Sequence, residues 1–136
     1  MSYNKDYIIK LRNSGLRPTN QRIRICEILF NTEKTFHFTI KDLAKMIENT
    51  ENTKISLATI YNTVEAFKKA GHIREIFTNN SKSYYDTNIK SHHHFYDEGS
   101  KELTDIHYSQ IKLSKVPVPP KGKKIKNLEV VIRIQK

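Results

Sequence analysis

Apolar residues first recur at helical spacing. Tyr7, Ile8 and Leu11 predict a short first helix that stops at Ser14-Gly15. Arg17-Pro18 breaks the chain, since the residue before proline avoids helical geometry. Thr19 then caps a second helix with an apolar stripe of Ile23, Cys26, Leu29 and Phe30. Thr39 and Asp42 form a capping-box pattern with Asp in place of Glu. The third helix that follows carries Ile40, Leu43, Ala44 and Ile47 at i, i+3, i+4 and i+7. Residues 48–54 read as polar loop. Ser56 caps a fourth helix that turns Leu57, Ile60, Val64 and Phe67 inward and ends at Gly71. The pattern then becomes β-prone: residues 73–77 and 82–86 predict a hairpin about a turn at 78–81. Short helices followed by a two-stranded ribbon are the plan of a winged helix-turn-helix. That plan lays the fourth helix in a major groove and the ribbon against the backbone.

Beyond residue 91 the character changes. Residues 102–106 and 128–134 are strand-like, and Pro117-Val-Pro-Pro120-Lys-Gly122 is a stiff turn. A fragment of this size with three strands is too small to bury a core alone. Completing that core against a second copy makes it a dimerisation module.

The formal net charge of +10 points to a polyanionic partner. It is spread out: residues 1–90 hold 15 Lys and Arg against 9 Asp and Glu, and residues 91–136 hold 9 against 5. Charge alone therefore does not locate a nucleic-acid face. The single cysteine, Cys26, excludes an intrachain disulfide framework and a Cys-x-x-Cys zinc clip. With no long apolar run and no apolar leader after Met1, the expectation is a soluble, cytoplasmic protein without a membrane partner.

Chemistry concentrates at His92-His93-His94. In a strand, His92 and His94 project to one face about 6.6 Å apart, from the ~3.3 Å rise per residue, and His93 points away. Paired imidazoles suit a transition metal, and imidazole is also a usual ligand of haem iron. His37 before the third helix and Asp86 at the end of the hairpin complete a candidate set. If the hinge folds back, His37, Asp86, His92 and His94 surround one divalent ion, Zn²⁺, Fe²⁺ or Mn²⁺. Haem is the second candidate cofactor, with His92, His93 and His94 as its residues. On the fourth helix Ala58, Thr59, Asn62 and Glu65 face outward with Tyr61 at the edge. Thr59 can meet a thymine methyl, Tyr61 a phosphate or methyl, and Asn62 an adenine edge. Arg17 fits an A·T-rich minor groove and Arg22 a phosphate. Lys68 and Lys69 read equally well as solvated charges, and His72 and His107 as turn or surface histidines.

These residues resemble a known family. Ser56-Leu-Ala-Thr-Ile-Tyr-Asn-Thr63, Arg17-Pro-Thr-Asn-Gln-Arg22 and the histidine run look like the ferric uptake regulator superfamily. His92-His-His-Phe-Tyr96, Leu103-Thr-Asp-Ile106, Val116-Pro-Val-Pro-Pro-Lys-Gly122 and Val130-Val-Ile-Arg-Ile134 resemble its iron response regulator branch. The resemblance implies an α+β protein: a winged helix-turn-helix DNA-binding domain (1–88), then a small α/β dimerisation and metal- or haem-sensing domain (89–136). It implies a homodimeric repressor of iron and haem genes at A·T-rich palindromes of double-stranded DNA. Thr59 and Tyr61 match the family's major-groove contacts and Arg17 its minor-groove arginine. His37, Asp86, His92 and His94 match its inter-domain metal site, with Asp in place of the more frequent Glu. Asp97-Glu-Gly-Ser100 replaces the Cys-x-x-Cys clip of many members, and Cys26 lacks the proline of the branch's Cys-Pro haem motif.

Zinc-, manganese- or peroxide-responsive regulators of the same superfamily are alternatives. Other classes are a basic RNA-binding accessory protein, which needs no palindrome, and a small histidine metalloenzyme. An enzyme needs an open coordination position and a placed acid or base. No carboxylate near the triplet is assigned as a placed acid or base, so no catalysis and no small-molecule substrate are expected.

Overall fold

The structure, a computed structural model, describes residues 2–51, 54–78 and 82–136. It divides into two compact units, Met1–Ile89 and Lys90–Lys136.

The first unit holds four helices, α1 (Ser2–Asn13), α2 (Asn20–Phe30), α3 (Ile40–Glu51) and α4 (Leu57–Ala70). The caps follow the sequence signals. Gly15 takes a positive φ of 77° just past α1. The Thr19 hydroxyl accepts from the Arg22 N–H at the start of α2. At α3 the Thr39 N–H donates to Asp42 Oδ2 and the Asp42 N–H donates to Thr39 Oγ1, a reciprocal capping box. The Ser56 hydroxyl accepts from the Thr59 N–H, and Gly71 closes α4 with φ 86°.

A three-stranded antiparallel sheet completes this unit: β1 (His37–Phe38), β2 (Arg74–Ile76) and β3 (Tyr84–Asp86), in the order β1-β3-β2. The wing is therefore a three-stranded sheet and not a two-stranded ribbon. Two residues are too short a run for β1 to show periodicity in the sequence. The two hairpin strands are also shorter than expected, and residues 79–81 of the turn lie outside the described residues.

The core takes Leu11, Ile25, Leu29, Leu43, Ile60 and Phe67, with Phe38 stacked on Tyr85 at 5.5 Å. Cys26 is buried in it, and burial pushes its thiol up to about 12, so it behaves as a small hydrophobe. Three expectations change. Ile25 joins the buried face of α2, while Ile23 and Phe30 are only half buried. α3 runs on to Glu51, because nothing in residues 48–51 breaks a helix; residues 52–53 lie outside the described residues. Leu57 does not face inward: it is 51% exposed. Its expected place is taken by Ile55, which precedes the capping Ser56 and is buried in the same cluster as Ile60, the positions of a hydrophobic staple.

The second unit is a three-stranded mixed sheet, β5-β4-β6, from β4 (His92–Asp97), β5 (Leu103–His107) and β6 (Val131–Ile134). A 3-10 turn, Tyr108–Gln110, is its one helical segment. β5 pairs antiparallel with β4, and β6 pairs parallel with it. A parallel pair needs a long crossover. Residues 111–130 supply it without regular structure, turning at Pro120–Gly122, where the Lys123 N–H reaches the Pro120 carbonyl. Tyr96 and Ile106 are buried, whereas Leu113, Val116, Val118, Ile125, Leu128, Ile132 and Ile134 are exposed, Val118 at 91%. No helix among the described residues is long and apolar enough to cross a membrane.

Candidate metal centre and DNA-reading helix

On α4 the outward residues are not equivalent. Ala58, Tyr61 and Asn62 are exposed, and Tyr61 is half open to solvent. Thr59 is half buried, and its hydroxyl accepts from the Ser56 hydroxyl at 2.9 Å. Its methyl group is the part left for a base edge. Glu65 belongs to a different structure. The Tyr85 phenol donates to its Oε2 at 2.8 Å, and Lys68 Nζ bridges Glu65 at 2.9 Å and Glu75 at 2.8 Å. Burial raises the Glu65 carboxyl, but the bonds from Lys68 and Tyr85 outweigh it and hold the group below its ordinary value. The bonds to Glu75 and Glu65 raise Lys68. The network ties α4 to β2 and β3, so Lys68 is a structural cation. Lys69 stays exposed.

An open groove runs between Ser14, Gly15 and Leu16 and the α4 residues Tyr61, Asn62 and Lys69. Arg17 is exposed just past its rim, and Arg22 donates through Nη1 to the Arg17 carbonyl at 2.9 Å. One guanidinium edge of Arg22 is thus committed to holding the elbow that presents Arg17. His72 follows α4, packs edge-on against Phe67 at 6.0 Å, and is lowered by burial and then by Lys10. His107 ends β5, exposed, with its ring on Ser109.

In the first unit His37 and Asp86 face each other as a β1–β3 register pair, Nε2 to Oδ2 3.3 Å. Asp86 is buried, and its Oδ1 accepts the Asn88 N–H at 2.8 Å. A buried carboxylate is costly unless compensated by a partner or a cation.

In the second unit the strand alternation holds. His92 and His94 lie together with ring centroids 4.5 Å apart. The His92 Nδ1 contacts the Lys90 carbonyl, which can only accept, so that nitrogen carries the proton. The His94 Nδ1 lies 2.8 Å from Glu129 Oε1 and is protonated for the same reason. Both Nε2 atoms approach one oxygen, Asp105 Oδ1, at 3.4 and 3.3 Å. Two imidazole nitrogens and a carboxylate oxygen meeting at one point are a mixed donor set that suits a divalent transition metal. His93 points elsewhere: its Nδ1 accepts the Val130 N–H at 2.9 Å. Sequence reading missed Asp105 and Glu129. The register His94↔Asp105 could have been sought from the two adjacent strands, but Glu129 lies 35 residues away and left no local signal.

The sequence pattern of the ferric uptake regulator family matches residues 13–133. The chain is 33% identical over 107 residues to the peroxide-responsive repressor PerR of Staphylococcus saprophyticus, covering 79% of this chain and 70% of that protein. It is 31% identical over 104 residues to the peroxide operon regulator of Bacillus subtilis, covering 76% and 70%. In fold it resembles the manganese-bound ferric uptake regulator of Pseudomonas aeruginosa, with TM-score 0.73 at 22% identity over 96% of this chain and 97% of that one. The iron-bound regulator of Francisella tularensis gives TM-score 0.70 at 20% identity over 90% and 92%. The chain belongs to the ferric uptake regulator family and is a transcription regulator of that kind.

Proposed function

We propose that this protein is a homodimeric, divalent-metal-responsive repressor of A·T-rich palindromic operators. One ion of Zn²⁺, Fe²⁺ or Mn²⁺ is held by His37 and Asp86 from the first unit and by His92, His94 and Asp105 from the second. The observation that carries the reading is the convergence of the His92 and His94 Nε2 atoms on a single Asp105 oxygen. Only residues 87–91 separate Asp86 from His92 along the chain, which favours one ion drawing on both pairs. Such an ion couples the angle between the units to the spacing of two recognition helices, which must meet half-sites ~34–36 Å apart. The DNA contacts of this reading are Arg17, Arg22, Thr59, Tyr61 and Asn62. Residues 1–88 form the DNA-binding domain and 89–136 the dimerisation domain. The exposed Val116, Val118, Ile125, Leu128 and Ile134 support a second copy as their cover. The protein works in the cytoplasm, as a regulator and not as an enzyme.

For the signal, we favour a metal-dependent peroxide response, because the relatives named above are peroxide-responsive repressors or operon regulators. The iron response branch, with haem as effector, is the second reading, supported by the His92–His94 run and residues 116–122. The engagement of His93 with the Val130 N–H counts against that ring as a haem ligand. The test is operator binding by the purified dimer loaded with Fe²⁺ or Mn²⁺, with and without hydrogen peroxide or haem. Iron-dependent binding lost on peroxide supports the first signal, and loss on haem alone supports the second. Failure to bind both metal and duplex DNA, or sedimentation as a 16.0 kDa monomer at micromolar concentration, overturns the proposal.

A further inference from the structure

Glu129 precedes β6, at the far end of the irregular crossover, and its carboxylate meets the His94 ring at 2.8 Å. Its place is set by the backbone of the next residue, Val130. The His94 N–H donates to the Val130 carbonyl at 3.1 Å, and the Val130 N–H donates to the His93 ring at 2.9 Å. The N–H and C=O of Val130, the residue after Glu129, are thus held by consecutive histidines of β4. His93 holds the strand that carries the carboxylate, and His94 receives that carboxylate.

We infer that Glu129 is a positioning residue for the metal, fixing His94 as its Nδ1–H tautomer so that the Nε2 lone pair faces the ion. The inference rests on the metal reading above and assigns a role outside the ligand set. A carboxylate oxygen can only accept, so the contact holds a proton on Nδ1. With that proton held on Nδ1, Nε2, which lies 3.3 Å from Asp105 Oδ1, is the ring atom left to bind a metal. A carboxylate partner also makes the ring a stronger base than a neutral partner does. His92 supplies the internal contrast, because its Nδ1–H goes to the Lys90 carbonyl two residues away. The two metal-facing histidines are held by different chemistry, and only His94 depends on the crossover. Without Glu129 the His94 ring, 2% exposed, has a ready alternative. Its proton moves to Nε2 and hydrogen-bonds Asp105 at the same 3.3 Å. A metal must then displace that proton.

The experiment compares the full-length wild type with Glu129→Met, which keeps the length and removes the acceptor, and Glu129→Gln, whose amide oxygen restores it. Two readouts are taken: Mn²⁺ affinity by chelator competition, and the ring tautomers by nitrogen NMR of histidine-labelled, metal-free protein. In the wild type His94 is expected protonated at Nδ1. In Glu129→Met it shifts to Nε2–H while His92 is unchanged, and Mn²⁺ binds about 10–100-fold more weakly, the usual effect of losing such a partner. Glu129→Gln keeps the Nδ1–H tautomer and binds Mn²⁺ between the two. If Glu129→Met does not fold, Glu129→Gln decides on the NMR readout: a His94 ring protonated at Nε2 and not at Nδ1, with the acceptor still in place, overturns the inference. An unchanged His94 tautomer in a folded Glu129→Met also overturns it. A wild type that binds no Mn²⁺ but shows the predicted tautomers removes the metal reading and leaves the His94–Glu129 geometry standing, so the two failures are distinguishable.

Discussion

Tyr85→Phe isolates the bond between the wing and the DNA-reading helix. The ring is fully buried and stacked on Phe38 at 5.5 Å, so phenylalanine fills the same space and opens no cavity. What is lost is the 2.8 Å bond from the phenol to Glu65 Oε2. A hydrogen bond to a charged group contributes about 1.5–3 kcal/mol. Glu65 is not sealed, since 19% of its side chain meets solvent and Lys68 Nζ remains at 2.9 Å. Water and Lys68 therefore recover part of the loss, and we expect a net destabilisation of about 1–2 kcal/mol. Urea unfolding followed by circular dichroism measures it. The pH dependence carries the sign. Glu65 is held below its ordinary value, so its stabilisation is present above the unfolded pKa and fades as pH falls through the folded one. Losing the phenol moves the folded value back towards normal. The deficit of the variant is thus largest at neutral pH and shrinks on acidification below the ordinary carboxylate range. A deficit under about 0.5 kcal/mol at pH 7, or one that grows in acid, refutes the assignment.

Arg17→Ala should weaken binding to an A·T-rich operator and reduce the salt slope by about 1, because a minor-groove arginine neutralises duplex charge as well as reading shape. Tyr61→Ala should cost about 1–3 kcal/mol of operator affinity if the exposed ring meets a base; filter binding at several salt concentrations reads both. Phe67→Ala removes a fully buried ring edge-on to Phe30 at 5.5 Å and should cost about 3–5 kcal/mol in urea unfolding. Cys26, buried and raised to about 12, should resist a thiol reagent in the native protein and react only in denaturant; rapid labelling at pH 8 without denaturant contradicts that burial.

Much of this protein follows from local rules that act within a few residues. The caps at Thr19, Thr39 and Ser56, the stops at Gly15 and Gly71, and the stripe of Ile60, Val64 and Phe67 all arise from neighbours three or four positions apart. The same holds for His92 and His94, which share a face because side chains alternate along a strand. Tertiary structure decided what no short window contains. It paired His37 with Asp86 through a two-residue strand, withdrew Glu65 from the helix face into a bond with Tyr85, and placed Ile55 where Leu57 was expected. It also brought Asp105 across the sheet and Glu129 from 35 residues away onto one imidazole. Periodicity reports which way a side chain points. Which proton each histidine carries depends on the acceptor opposite, and that acceptor arrives only when distant strands come into register.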